Sequence, residues 1–265
     1  MIGRSPQRER TLIAAALGAL TLLAWFHVWR GAGMGMSALE MTRLTLFPHV
    51  RGDALDRMEM DPVGIATVTA MWWVMMIAMM TPGAMPLAML YARVLRNAQR
   101  GASVAVVVPT LFVGVGYLLA WLGFAIVATG LQYALVGGGL LSAMMLWSQS
   151  AVLSAAVLAA AGLYQLTPLK QSCLAHCRGP VAFLTRHFRP GNLGAIAIGL
   201  RHGAWCVGCC WALMVLLFVG GVMNLAWIAV LSLLVLAEKL APAGAWLSRA
   251  SGLVLIAWAA ATLVR

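Results

Sequence analysis

Charge is scarce in this chain of 265 residues: Asp, Glu, Lys and Arg together make up 9% of it. A soluble domain carries roughly 25% charged residues and covers its surface with them. With so few, a soluble enzyme, a disordered protein and a disulfide-rich secreted domain are excluded. Acids are rarer still, seven in all. The sequence has no Ser/His/Asp constellation, no paired carboxylates in an apolar run, no phosphate-binding loop and no nucleotide motif. Conventional hydrolase and ATP-driven pump chemistry therefore has no machinery here. The five cysteines are odd in number and clustered, a poor match to a disulfide framework. No long Lys/Arg run and no aromatic–basic interleaving accompanies the net charge of +11, so nucleic acid is not an expected partner.

Apolar residues are abundant instead, at 63%. The expected fold is an all-α, polytopic transmembrane bundle forming a single integral membrane domain over 1–265, with the lipid bilayer as its partner. A span needs about 20 mostly apolar residues. Runs of that kind lie near 11–29, 61–91, 103–129, 140–163, 193–222 and 224–237, with a shorter one at 250–264. This gives about seven helices, or six plus an interfacial C-terminal segment. Asp61-Pro62 supplies an N-cap and a proline at the first helical position, and Pro82 and Pro86 predict a kink in the span that follows. Basic residues accumulate on the cytoplasmic side of a membrane. Arg4, Arg8 and Arg10 precede the first span, and Lys170, Arg178, Arg186 and Arg189 lie in 167–192. The N-terminus and the Cys-containing segment 167–192 are therefore expected in the cytoplasm. The polar loop 31–61 holds five of the seven acids and is expected outside.

All five cysteines fall in two short stretches, Cys173-Leu174-Ala175-His176-Cys177 and His202-Gly203-Ala204-Trp205-Cys206-Val207-Gly208-Cys209-Cys210. On a helix His202, Cys206, Cys209 and Cys210 share an arc of about 100°. Thr167-Pro168 and Gly179-Pro180 predict the start and stop of a helix carrying Cys173, His176 and Cys177 on one face. Thiolates and imidazoles are the ligands that Cu(I) and zinc prefer. Confined to two stretches at the inner boundary, these seven residues are the candidate metal ligands, and the two clusters are within reach of a common site.

Seventeen methionines are present. Met71, Met75 and Met79 recur every four residues in the second span, beside a stripe of Met76 and Met80. Met34, Met36, Met58 and Met60 form two Met-x-Met motifs in the outer loop. Thioethers bind Cu(I) without deprotonation, so these residues are a candidate secondary metal path, and their number favours copper over zinc. Methionine is also an ordinary gap-filler of helical cores. Glu238, the last acid, is expected to form an interfacial ion pair with Lys239 or Arg201. Two other readings stay open. Cys206-Val207-Gly208-Cys209 is a CxxC that suits a thiol- or quinone-linked redox protein. An accessory subunit of a larger membrane complex would use the same residues for packing.

Three longer motifs carry a family resemblance: Trp73-Val74-Met75-Met76-Ile77-Ala78-Met79-Met80-Thr81-Pro82; Tyr164-Gln165-Leu166-Thr167-Pro168-Leu169-Lys170 with Cys173 and Cys177; and His202 to Trp211 with Gly221-Val222-Met223-Asn224 and Glu238-Lys239-Leu240. Over 60–242 the chain resembles the bacterial family called domain of unknown function 2182, described as predicted metal-binding integral membrane proteins. The resemblance implies a metal-binding, multi-pass protein of the bacterial inner membrane. Together with the soft ligands it leads to the expectation of a protein that handles or delivers copper, with a metallochaperone or membrane metalloenzyme as partner, and that is not itself an enzyme.

Overall fold

The structure is a computed structural model that describes residues 6–31, 39, 42, 61–98, 106–142, 146–189 and 191–264. Among the described residues it is a helical bundle, and strand-like pairing is confined to one isolated bridge between Leu141 and Ser148. The helices are α1 (Pro6–Trp29), α2 (Pro62–Ala98), α3 (Val107–Gly137), α4 (Ala151–Leu166), α5 (Pro168–Arg178), α6 (Pro180–His187), α7 (Gly191–Val215), α8 (Leu217–Gly220), α9 (Leu225–Leu240) and α10 (Gly244–Val264).

Local chemistry sets the boundaries. Asp61 Oδ1 accepts the Gly64 N–H at 2.9 Å ahead of Pro62, which starts α2 at the expected place. The helix then runs unbroken through Pro82 and Pro86, past the expected end at Tyr91. Thr167 caps α5 by accepting the Lys170 N–H at 3.2 Å, with Pro168 at the first position and Gly179 at the end. Asn224 caps α9 through the Trp227 N–H at 3.2 Å.

Five segments are long and apolar enough to cross a membrane: α1, α2, α3, the α7–α8 stretch and α10. The expected count of about seven is not reached by length. Helices α4 and α9 have 16 residues each. That is about 24 Å of helix, against a hydrocarbon core of about 30 Å. The fourth apolar run begins at Leu140, but the Leu141–Ser148 bridge and a positive φ at Leu146 keep its first part out of the helix. Helix α4 meets α5 at a bend of 64°, so the pair counts as a sixth crossing only if it is one broken span. Outward faces carry large apolar side chains such as Leu22, Leu193 and Leu233, which is compatible with a membrane protein.

Two close helix contacts place the cysteines. Helix α3 packs along α7 with glycine on both sides. A Cβ on Gly199 would be driven into the Val113 carbonyl, one on Gly116 into the Ile196 carbonyl, and one on Gly203 would lie 2.6 Å from the Ala120 Cβ. Such small-residue faces let apolar helices approach backbone to backbone. Gly162 of α4 and Gly252 of α10 repeat the device, each meeting the other's carbonyl oxygen within 3 Å if given a Cβ. The α3–α7 contact brings Tyr117 against the cysteine face of α7.

Candidate metal centre

Cys206, Cys209 and Cys210 lie at i, i+3 and i+4 on α7 and share its inner face. All three are buried, and their sulfurs lie within 4.8 Å of one another. The Cys209 and Cys210 thiols each donate to the Cys206 carbonyl, at 3.1 and 3.0 Å. All five cysteines of the chain are free thiols.

Helix α5 closes over this face. Cys177, half-buried, has its Sγ 3.8 Å from that of Cys209, so the two sequence clusters meet. Cys173 is buried beside Gly208, where a Cβ would stand 3.1 Å from its sulfur. Glycine at that position lets α5 sit close to α7. Tyr164 of α4 donates its hydroxyl to the Gly208 carbonyl and holds the same turn from outside.

The two histidines part ways. The Nδ1 of His176 is bonded to the Ser172 carbonyl at 2.8 Å, and its ring stacks on Trp205 with centroids 4.2 Å apart. It stands outside the three-sulfur group. His202 is buried between Tyr117 and Phe183, and its Nδ1 has no hydrogen-bond partner among the described residues. His202 lies one turn before Cys206, but its ring nitrogens do not join the group of ligand atoms that lie within 4.8 Å of one another.

Two neighbours of the cluster carry no metal-ligand signature in sequence. The Tyr117 hydroxyl lies 3.0 Å from Cys206 Sγ and 3.0 Å from the Met80 carbonyl. Lys239 of α9 places its Nζ 2.8 Å from Cys206 Sγ and 3.9 Å from Met80 Sδ. The expected pairing of Glu238 with Lys239 or Arg201 is therefore replaced. Glu238 bonds Lys170 at 2.7 Å, both almost fully buried, and also accepts from Gln165 at 2.7 Å. Adjacent residues on a helix face about 100° apart, so Glu238 turns to α5 while Lys239 turns to α7.

Met71, Met75 and Met79 are buried in the main core with Met76 and Met80. Of the second-span methionines, Met80 makes the contact beside the cysteines. Met34, Met36, Met58 and Met60 lie outside the described residues.

The donors form a sulfur-rich, buried set with one imidazole alongside, which fits binding of a transition metal ion. No curated protein and no solved structure matches the chain. A family model, PpoB2, described as a copper chaperone, matches residues 69–262, a stretch that contains every cysteine, His202, Tyr117 and Lys239. That match spans well over half of the sequence, carries the metal-binding character implied by the motifs, and shows that the chain belongs to the PpoB2 copper chaperone family.

Proposed function

We propose that this protein is an integral membrane copper chaperone that holds Cu(I) on Cys206, Cys209 and Cys210. The observation that carries the reading is the group of three buried sulfurs on one helix face, with a fourth sulfur, Cys177, reaching it from a half-buried position. Three thiols within about one helical turn suit the low coordination numbers of a soft monovalent ion, whereas structural zinc takes four ligands in a tetrahedron. Burial keeps water and competing hard ligands away. Cys177 is the exchange ligand: it is half-buried and touches Cys209, so a thiolate donor or acceptor can hand copper in or out through it. Cys173 and His202 flank the set and support it.

The basic residues of 167–192 favour a cytoplasmic position for this gateway, with the N-terminus on the same side of a bacterial inner membrane. The buried methionines Met71, Met75 and Met79 offer a soft onward path from the Met80 end toward a metallochaperone or a membrane metalloenzyme.

Metal analysis of detergent-purified protein under reducing conditions tests the reading. The wild type is expected to bind close to one Cu(I) per chain, and a variant with Cys206, Cys209 and Cys210 all changed to Ser to bind none. Equal and negligible copper in both after loading refutes it.

A further inference from the structure

The chain holds eighteen basic residues of the Lys and Arg type, but only two are lysines, Lys170 and Lys239. Both are buried. Lys170 spends its charge on Glu238. Lys239 has no carboxylate within ion-pair distance among the described residues, and its ammonium is directed at Cys206 Sγ, with Met80 Sδ as a more distant neighbour. Space for it is built into the facing helix: a Cβ on Gly83 would lie 3.3 Å from Lys239 Cδ and 3.5 Å from Nζ. A glycine in the middle of α2 costs helix stability, and here it leaves a notch for the lysine stem.

An isolated buried ammonium is costly, and it is tolerated where an opposite charge meets it. The group placed to supply that charge is the sulfur of Cys206. We propose that Lys239 is the resident counter-cation of the cysteine site, balancing thiolate charge both before and after metal binding. The proposal rests on the copper-site reading above and adds a residue to it.

The charge count shows why a second cation is useful. A monovalent ion held by the three thiolates carries a net charge of −2, and in a buried site that charge is unfavourable. Lys239 halves it to −1. Its ammonium reaches Cys206 from α9, leaving the sulfur's remaining lone pairs free for a metal, as partners of bound ligands do at other metal sites. The Tyr117 hydroxyl lies against the same sulfur but adds only a dipole. Lys239 is thus a positioning and charge-balancing residue, not a ligand.

The full-length protein in detergent, titrated anaerobically with Cu(I) against a chromogenic chelator, tests this. Lys239→Met keeps the apolar stem and removes the charge. It is expected to bind the same number of copper ions with roughly 10–100-fold weaker affinity. Lys239→Arg keeps the charge and is expected to regain most of that loss. Thermal unfolding of the metal-free proteins gives the second readout. Lys239→Met strands the Cys206 sulfur and is expected to melt lower than wild type, with the loss largely reversed in Lys239→Met/Cys206→Ala, whereas a merely structural lysine would lower the melting temperature equally with or without that sulfur. Wild-type affinity in Lys239→Met, tighter binding in it, or an Arg variant as weak as the Met variant each overturns the proposal alone. A wild type that binds no Cu(I) overturns the site reading and this proposal together.

Discussion

The Lys170–Glu238 pair makes a quantitative test of how the site is held together. Lys170 is 0% exposed and Glu238 1%, and their 2.7 Å contact joins α5 to α9. Gln165 of α4 donates to the same carboxylate at 2.7 Å, and Ser251 of α10 lies 3.4 Å from it. Lys170→Met removes one charge and leaves the other buried among two weak neutral partners. Breaking a buried pair in this way costs about 3–5 kcal/mol. Replacing both charges by apolar groups of similar volume costs little, because the pair's attraction is offset by its own desolvation. The double variant Lys170→Met/Glu238→Met is therefore expected to be more stable than Lys170→Met and close to wild type. Denaturant unfolding of the purified protein in a mild detergent measures all three. A functional consequence follows from geometry, since Lys170 sits two turns before Cys177 on α5. With α5 loosened, Cys177 should react faster with a maleimide in Lys170→Met than in wild type, and the double variant should reverse the increase. A single variant as stable as wild type, or a double variant no better than the single, refutes the assignment of Glu238 to Lys170.

Two further substitutions probe the backbone contacts. Gly199→Val forces α3 and α7 apart at the Val113 carbonyl, so a loss of at least about 1–3 kcal/mol is expected in thermal unfolding, together with weaker Cu(I) retention as Tyr117 withdraws from Cys206. Cys177→Ser leaves the three-sulfur group intact, so equilibrium copper content is expected to stay near wild type while transfer to a small thiolate chelator slows, as stopped-flow absorbance would record.

Local signals were readable and distant ones were not. Asp61-Pro62, Thr167-Pro168 and Gly179-Pro180 mark their helix ends in the structure because capping and proline stereochemistry act within one turn. The shared face of Cys206, Cys209 and Cys210 follows from helical periodicity alone. The length of α4 was misjudged because an apolar run looks the same whether it is helix or a bridged loop, and Leu141 with Ser148 uses the run for the loop. The packing of Gly199 and Gly203 on Gly116 and Ala120 was not expected from the sequence, because small residues mark a contact only once the helix lying opposite is known.

The expected Glu238–Lys239 pair shows where sequence neighbours mislead. On a helix, residues at i and i+1 do not face each other, so two adjacent charges are better read as addressed to two different neighbours. Here those neighbours are α5 and α7, the two helices that carry all five cysteines. Glu238 ties down the helix of the gateway thiol through Lys170, and Lys239 meets the sulfur at the centre of the cluster. One dipeptide on α9 therefore touches both halves of the site. Adding one residue to α9 before Glu238 would rotate both charges off their partners at once, which separates the Glu238-Lys239 motif from an ordinary interfacial charge pair, for which such a rotation is harmless.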